Sequence, residues 1–385
     1  MNHPELCILK TMKLRIDLIH RINLVKRTAF MFWVYLAFSI GLTACVNESI
    51  EVEKDIQATV TLTPRLEDDN SHSALSQSEI ATLNSLKQID DYPLYTMEYL
   101  ADYQDLAVTL SNFQQDFPQT SKDPWACSLF AALADSENLL FGRNFDWAYS
   151  PALLLITDPP NGYASASIVN LGFLGYRTDS VSDLEYLPIE SRVDLLGSVA
   201  VPIDGFNEMG LAVGMAAVPG SSQFHSDAKP RISSLAIIRV LLDHSSTVEE
   251  AVELMAEYNI DFSNGPVVHY LIADANGTAV LVEYYHGDMH LTYNDSPWHQ
   301  ATNFLRVTAG ESPIGKCWRY DTISDRLINS EGILLRPEAL QLLQDVSQDN
   351  TQWSVLYDLT NKHIQIVMGR EYDNVNDFYL DSKNN

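Results

Sequence analysis

The chain has 385 residues, of which 46% are hydrophobic, so it has enough apolar sequence for one large core or two smaller ones. Its formal net charge is -27. A surface this acidic repels phosphate backbones, which argues against nucleic-acid binding. The ten histidines include no H-E-x-x-H and no close Cys/His cluster, and the sequence has no phosphate-binding loop and no G-x-S-x-G. We therefore expect neither a metal site nor a cofactor.

Residues 1–45 have the features of an export signal. Basic residues precede an uncharged apolar run from Thr28 to Ala44, which has the length of a secretory hydrophobic region. The run ends in Leu42-Thr43-Ala44-Cys45, which resembles the lipobox of bacterial lipoprotein signals, where the cysteine is lipidated. We expect an exported bacterial lipoprotein, anchored to the membrane through Cys45 on the periplasmic or extracellular face. The alternative is a plain membrane anchor.

Two segments separate the signal from the main body of the chain. Residues 46–74 are polar and acidic without apolar periodicity, so we interpret them as a tether. Residues 75–126 form a second unit. It begins with a predicted helix over 76–90, opened by the capping box Ser76-x-x-Glu79, and continues in a partly extended stretch over 92–110.

Strand patterns dominate from residue 127 to the end. Turn signals such as Asp135-Ser-Glu-Asn138 and Asp274-Ala-Asn-Gly277 separate apolar runs, which is typical of antiparallel hairpins. The capping box Ser246-x-x-Glu249 opens a helix among them. The predicted strands cover 128–134, 139–145, 153–157, 163–171, 267–272, 278–285, 289–293, 353–359 and 363–368, and the predicted helices cover 232–242, 248–258 and 337–346. Strands and helices in this order favour an α+β fold with mostly antiparallel sheet and helices stacked outside.

Cys127 is the cysteine that calls for an explanation. The chain has four cysteines. If Cys7 leaves with the signal and Cys45 takes lipid, only Cys127 and Cys317 remain, so a disulfide framework is not available.

The first predicted hairpin returns polar residues to Cys127. If Ser136-Glu137 form the centre of the turn, Asp146 lies opposite Cys127 and Arg143 lies nearby. A guanidinium lowers the pKa of a thiol, and a free α-amine can act as a local base if Cys127 becomes an N-terminus. Arg143 and Asp146 are three residues apart and face opposite sides of a regular strand, so whether both reach the thiol stays open. The alternative is a buried cysteine beside a surface ion pair.

Two blocks at the start of this region carry a family resemblance. Cys127-Ser128-x-Phe130 and Gly142-Arg143-Asn144-Phe145-Asp146-Trp147 resemble the start of the mature chain in the choloylglycine hydrolase family of linear amide C–N hydrolases. The spacing also matches, with arginine 16 and aspartate 19 residues after the cysteine. The resemblance implies an N-terminal-nucleophile (Ntn) hydrolase with an αββα four-layer sandwich, in which Cys127, Arg143 and Asp146 are catalytic.

Three later positions extend the resemblance. Asp204-Gly-Phe-Asn-Glu-Met-Gly-Leu211 resembles the family segment D-G-x-N-E-x-G-L, which implies an oxyanion-stabilising role for Asn207. Thr302-Asn303-Phe304 implies that Asn303 is a polar group of the active site, and Arg319 resembles the late active-site arginine. The alternatives are a tight turn at Asn207, a helix cap at Asn303 and a surface cation at Arg319.

The resemblance also implies how the chain matures and what it does. The bond between Ala126 and Cys127 is expected to break by self-cleavage, which leaves residues 75–126 as a propeptide or small subunit and 127–385 as the catalytic domain. The expected activity is hydrolysis of a small N-acyl amide through an acyl-thioester, without a cofactor. Alternatives are an acyltransferase of the isopenicillin N acyltransferase type and a catalytically inactive ligand-binding lipoprotein. The oligomeric state, including a homo-oligomer, stays open.

Overall fold

The computed structural model describes residues 75–103, 126–177, 183–220, 228–263, 265–310 and 312–380. The predicted export signal with Cys45, the acidic tether and residues 104–125 lie outside these ranges. Within them, no helix combines the length and the apolar character needed to cross a membrane.

The segment upstream of Cys127 begins with helix α1 (Gln77–Asn84). Its capping box is confirmed, because Ser76 Oγ accepts from Glu79 N at 3.2 Å and the Glu79 carboxylate accepts from Ser76 N at 2.7 Å. The helix ends earlier than predicted. Ser85 bonds instead to Glu98 of strand β2 (Leu94–Tyr99), and strand β1 (Lys87–Asp90) pairs antiparallel with β2. Pairing with a distant strand therefore overrides the helical pattern over 85–90.

The remaining described elements form two large sheets and one two-stranded sheet, with helices between their strands. The strands are β3 (Ala126–Ala132), β4 (Leu140–Asp146), β5 (Ala152–Thr157), β6 (Ser165–Asn170), β7 (Pro202–Asn207), β8 (Ala212–Ala217), β9 (Arg231–Ser233), β10 (Asn259–Asp261), β11 (Val268–Ala273), β12 (Ala279–Tyr285), β13 (Asp288–Tyr293), β14 (Trp298–Ala301), β15 (Thr351–Asp358), β16 (His363–Met368) and β17 (Val375–Tyr379). The later α-helices are α2 (Ala236–His244), α3 (Val248–Ala256), α4 (Trp318–Asn329) and α5 (Arg336–Asp345). The first large sheet has the order β1-β2-β5-β6-β7-β8-β11-β12-β13, and the second has the order β14-β3-β4-β15-β16-β17. Strands β9 and β10 pair in parallel as a separate two-stranded sheet.

The two sheets pack face to face between two helical layers. Helices α2 and α3 contact the first sheet at β7 and β12, and α4 and α5 contact the second sheet at β3 and β4. Across the sheets, the rings of Phe206 and Tyr357 lie 5.2 Å apart. Gly214 permits this close approach, because a Cβ at that position would lie 2.6 Å from Leu129 Cδ2. These layers confirm the predicted αββα sandwich with mostly antiparallel sheets.

The register of the first hairpin differs from the prediction by one residue. Phe145, not Asp146, lies opposite Cys127, and Asp146 lies opposite Ala126. The prediction was wrong because the connection is odd in length and centred on Ser136. Leu133 leaves the hairpin ladder to donate its N–H to Pro297 O at 2.9 Å, a contact from a distant part of the chain.

Helix α3 starts at Val248, as predicted, but its N-cap lies one residue after the predicted capping residue, Ser246. Thr247 is its N-cap, and the Thr247 Oγ1 accepts from Glu250 N at 3.2 Å. Ser246 donates its own N–H to the Glu250 carboxylate at 2.7 Å. Glu250, not Glu249, is therefore the acidic residue that contacts the start of this helix. Sequence analysis missed α4, the β7–β8 hairpin and β17 altogether.

Candidate active site

Cys127 is the second residue of β3 and is 1% exposed. Three of its groups each contact a different residue. Its Sγ accepts from Arg143 Nη2 at 3.4 Å, its backbone N–H donates to Asn303 Oδ1 at 2.8 Å, and its carbonyl oxygen accepts from Arg319 Nη1. Three of the residues expected from the sequence, Arg143, Asn303 and Arg319, therefore form hydrogen bonds with Cys127.

Strand alternation explains why Arg143 reaches the sulfur. Cys127 and Leu129 face the second layer of sheet, and Arg143 of β4 faces the same way because it lies two residues before Phe145, the partner of Cys127. From there the guanidinium crosses to the facing sheet and forms an ion pair with Asp204 of β7. Both side chains are 0% exposed.

Asp204 and Tyr357 are functional-site residues that sequence reasoning missed. The second carboxylate oxygen of Asp204 accepts from the Tyr357 hydroxyl, so two donors fix this side chain. Asp204 is the first residue of the eight-residue segment with a family resemblance, but only Asn207 was singled out there. The available signal was an acidic residue inside an apolar strand, because a buried carboxylate needs a partner.

Charges around the thiol oppose one another. Burial raises the pKa of Cys127, the Arg143 and Arg319 guanidinium groups counteract that shift, and Asp146 adds to it. Burial alone would lower the pKa of Arg143, but Asp204 and the Cys127 sulfur together outweigh burial, and the net pKa is raised. The guanidinium beside the sulfur therefore stays charged. In the continuous chain the sulfur is held as a thiol next to a permanent cation.

Asp146 lies on the opposite face of β4 from Arg143, as their spacing of three residues requires. Its carboxylate accepts from Thr351 Oγ1 at 2.5 Å and from Gln348 Nε2 at 2.6 Å. Burial is the main cause of a raised Asp146 pKa. Its nearest cation is Arg319 Nη1 at 3.7 Å. Asp146 therefore acts on the cysteine through Arg319 and through its field, because it does not face the sulfur.

Arg319 belongs to the first turn of α4 and links the two faces of β3. Besides the carbonyl oxygen of Cys127, it contacts Ser128 Oγ at 2.9 Å and Asn303 Oδ1 at 2.9 Å. It is 6% exposed. The structure thus places Arg319 inside the site, and the alternative of a surface cation is wrong.

Asn303 follows β14, whose Ala301 pairs with Leu129 of β3. Its Oδ1 accepts from Cys127 N and from Arg319 Nη2, and its Nδ2 donates to Ala217 O at 2.8 Å. Two donors on one side and one acceptor on the other determine which way the amide points. Asn303 is therefore a fixed acceptor for the nitrogen of Cys127.

Asn207 does not join this group. It lies three residues from Asp204 on β7 and faces α2, the side away from the facing sheet. Its Nδ2 donates to Leu242 O at 2.9 Å and to Ser245 O at 2.7 Å, and its Oδ1 accepts two N–H groups of its own turn, from Met209 and Leu211. All of its amide hydrogens are occupied, so this placement contradicts the expected oxyanion role and fits the tight-turn alternative.

Other candidate chemistry is not assembled around Cys127. In the described part of the chain, no group of three or more His, Cys, Asp or Glu residues is arranged to bind a metal ion. The two cysteines found there are both free thiols, with Cys127 buried and Cys317 partly buried at the N-cap of α4.

Comparisons with known proteins give the following matches. A model of the linear amide C–N hydrolases of the choloylglycine hydrolase family matches residues 127–303, which include Cys127, Arg143, Asp146 and Asn303. The match confirms the resemblance that the sequence blocks carried. No curated protein sequence matches the chain.

Solved structures with similar folds were also found. Penicillin V acylase from Agrobacterium tumefaciens is 17% identical, with a TM-score of 0.44 over 63% of this chain and 83% of that one. A mutant of the conjugated bile acid hydrolase from Clostridium perfringens is 16% identical, with a TM-score of 0.46 over 66% and 92%. The Caenorhabditis elegans ortholog of N-acylethanolamine-hydrolyzing acid amidase is 12% identical, with a TM-score of 0.41 over 61% and 93%.

Proposed function

We propose that the chain is a linear amide C–N hydrolase of the choloylglycine hydrolase family, whose model matches residues 127–303, and that its catalyst is Cys127 acting as a newly formed N-terminus. One observation carries this proposal. The sulfur, the nitrogen and the carbonyl oxygen of Cys127 each contact a different polar side chain in a buried site. A buried structural cysteine needs none of these partners.

The first step of the proposal is self-cleavage. Sγ of Cys127 attacks the carbonyl carbon of Ala126, the thiol proton passes to the amide nitrogen, and the C–N bond between the two residues breaks to leave a thioester. Water then hydrolyses the thioester. Ala126 gains a carboxylate, and Cys127 regains its thiol and gains a free α-amine. Asn303 Oδ1, which now accepts the Cys127 N–H, is in position to accept a hydrogen from that amine.

The second step is turnover of a small N-acyl amide. The α-amine takes the proton of the thiol, and the thiolate attacks the substrate carbonyl. The C–N bond breaks as the leaving amine takes that proton from the α-ammonium group, and water then hydrolyses the acyl-thioester to a carboxylic acid and the free Cys127 thiol. Arg143, charged and 3.4 Å from Sγ, favours the thiolate. Arg319 fixes the cysteine backbone while these groups move.

Asn303 replaces Asn207 as our candidate for oxyanion stabilisation. Asn303 is the side-chain amide that contacts Cys127, whereas both amide hydrogens of Asn207 are bound by carbonyl groups at the end of α2. Loss of one oxyanion donor typically costs about 10²–10³ in kcat. The Nδ2 of Asn303 would exchange its bond to Ala217 O for one to the oxyanion.

We also infer that the upstream piece stays bound after cleavage. Strand β2 pairs in parallel with β5 over six residue pairs, from Leu94 with Ala152 to Tyr99 with Thr157. Leu94 and Tyr95 are 0% exposed, and the Tyr99 hydroxyl donates to Leu196 O at 2.8 Å. Each large apolar side chain buried in this way stabilises the association by about 1.5–3 kcal/mol.

Retention of this piece would keep the catalytic part at the membrane. The lipid is expected on Cys45, which lies outside the described residues and upstream of the cleaved bond. Incorporation of labelled fatty acid in the wild type, and its loss in Cys45→Ala, tests the anchor. Labelling that persists in Cys45→Ala would exclude Cys45 as its site.

The activity itself is tested with a panel of N-acyl amides that differ in acyl length and in the leaving amine. The wild type is expected to release free acid, and Cys127→Ser is expected to lose roughly 10³-fold or more of that rate. Added hydroxylamine should intercept the thioester as a hydroxamate. If Cys127→Ser hydrolyses the same amides at the wild-type rate, the thiol mechanism is excluded. A preference for added amines over water would instead identify an acyltransferase.

A further inference from the structure

A buried acid–base pair lies in the first sheet outside the groups described so far. His269 of β11 and Glu283 of β12 are 1% and 0% exposed, and His269 Nδ1 lies 3.1 Å from Glu283 Oε1. Extending the β11–β12 register by one pair from Tyr270 and Val282 places the two side chains directly opposite each other. Both face the second sheet, because Tyr270 on the alternate face bonds to Ser234 beside α2.

Glu283 uses its carboxylate to bind the chain that follows Asn303. Its Oε1 accepts from Arg306 N at 2.8 Å and its Oε2 accepts from Val307 N at 2.8 Å. These are the first N–H groups of a short 3-10 helix, Arg306–Thr308. Such groups have no partner inside their own helix, so an external carboxylate satisfies them and their partial positive charge.

His269 serves only this carboxylate among the described residues. Its second ring nitrogen, Nε2, is buried and has no hydrogen-bond partner there. With Nδ1 donating to Glu283, the imidazole contributes one hydrogen bond and no other polar contact. Burial alone would raise the pKa of Glu283, but His269 and the two backbone N–H groups more than offset this and hold the pKa below its usual value. The carboxylate is therefore charged and fully bonded.

The segment bound by Glu283 begins three residues after Asn303. Upstream of Asn303 the chain is fixed by β14, which pairs with β3, and Nδ2 of Asn303 donates to Ala217 O. Ala217 lies opposite Val268, the residue before His269. Asn303 thus lies between β3, which carries Cys127, and the neighbouring strands β8 and β11, of which β11 carries His269.

From this geometry we propose that Glu283, supported by His269, is a positioning residue for Asn303 and, through it, for the nitrogen of Cys127. This inference rests on the proposed function for its catalytic consequence. The carboxylate fixes the turn after Asn303, so that Oδ1 of Asn303 meets the Cys127 nitrogen at hydrogen-bond distance. A displacement of about 1 Å at such a site can cost on the order of 10²-fold in rate.

Glu283→Gln is the direct test, because it keeps the shape and removes the charge. An amide offers one acceptor atom where two backbone N–H groups need one each, so one of them loses its bond. Asp243→Asn is the matched control. Asp243 is also a buried acid, 2% exposed and 2.8 Å from Arg239, but it has no contact with the Asn303 segment.

Amide hydrogen exchange of the full-length protein gives a readout that needs no activity. We expect the peptide over residues 302–308 to exchange at least about 10-fold faster in Glu283→Gln and at the wild-type rate in Asp243→Asn. Unchanged exchange of this peptide in Glu283→Gln would overturn the proposal. If Glu283→Gln does not fold, His269→Leu decides by the same measurement, since it removes the side-chain donor to the carboxylate.

A double-mutant cycle with Asn303→Ala separates positioning from a general loss of stability. We expect Glu283→Gln to lower kcat about 10- to 100-fold and to change KM less than about threefold. In the Asn303→Ala background, the same substitution should lower kcat by less than about threefold more. A full, additive loss in the Asn303→Ala background would overturn the proposal. Failure of the proposed function would appear as a wild type that remains one chain and hydrolyses no amide. The exchange measurement needs no activity, so it would still decide the role of Glu283.

Discussion

Replacement of Asp204 by Asn removes the only carboxylate that the structure shows in contact with the buried Arg143 guanidinium. Both side chains are 0% exposed, and Arg143 stays charged. The variant therefore leaves a permanent cation without its counter-ion inside the sandwich. The Tyr357 hydroxyl, which donates to the second Asp204 oxygen, would still find an acceptor in the Asn carbonyl group. The expected loss thus arises from the charge pair and not from the tyrosine.

Breaking a buried ion pair by removing one partner typically costs about 3–5 kcal/mol of folding free energy. The surface pair of Arg326 with Asp345 gives the matched control. Its N···O distance is 3.0 Å, but the side chains are 37% and 35% exposed. Solvent screening limits such a pair to about 0–1 kcal/mol. Asp204→Asn should therefore destabilise the chain several times more than Asp345→Asn.

Urea unfolding monitored by tryptophan fluorescence measures both variants. The measurement is made in a Cys127→Ala background, which has no side-chain nucleophile, so that every molecule is a continuous chain and dissociation of a cleaved piece does not enter the free energy of unfolding. Equal destabilisation by Asp204→Asn and Asp345→Asn would refute the reasoning. It would mean that the buried guanidinium does not depend on Asp204.

Three further predictions concern the site and the assembly. Asn303→Ala should lower kcat about 10²–10³-fold, whereas Asn207→Ala should lower thermal stability and leave the kcat of the folded protein almost unchanged. The reverse pattern would assign the oxyanion role to Asn207. The pKa of Glu283 is held below the usual glutamate value of 4.5, so its contribution to stability is full above that pH and is lost as pH falls through the folded pKa. Glu283→Gln should therefore flatten the fall in melting temperature between about pH 6 and about pH 3, and an unchanged profile would contradict this. Met97→Asp places a charge at a position of β2 that is 1% exposed, so the upstream piece of the cleaved protein should separate from the catalytic part on size-exclusion chromatography. Glu98→Gln, at the exposed neighbouring position, should leave the two pieces together. Co-elution of the pieces in both variants would argue against attachment through β2.

The layered fold could be predicted because most of its strands have a recognisable pattern in the local sequence. Apolar runs bounded by Asp, Asn, Gly and Pro mark most of the hairpins, and the helix cap at Ser76 was correct in detail. Helix α4 was missed for a physical reason. Trp318 and Ile328 are each 54% exposed on its outer surface. Apolar residues on the solvent side obscure the one-sided pattern that marks a helix.

The site was predicted in composition but not in geometry. Cys127, Arg143, Asn303 and Arg319 were identified by motif, and the structure brings them together. Motif spacing could not determine which face of a strand a residue occupies once the register was uncertain by one. Asp204 was missed for a different reason, because it lies on β7, a strand that the sequence analysis did not predict. Contacts from distant segments, such as the one between Leu133 and Pro297 beside the hairpin, cannot be read from local sequence.

We propose that Cys127 acts only after the peptide bond between Ala126 and Cys127 has broken. Intact-mass spectrometry of the purified full-length chain, with Cys127→Ala beside it, tests this most directly. The wild type should appear as two pieces whose boundary lies between Ala126 and Cys127, and the variant should remain one chain. A wild type that remains one chain, with Cys127 internal, and yet hydrolyses N-acyl amides at full rate would contradict the account.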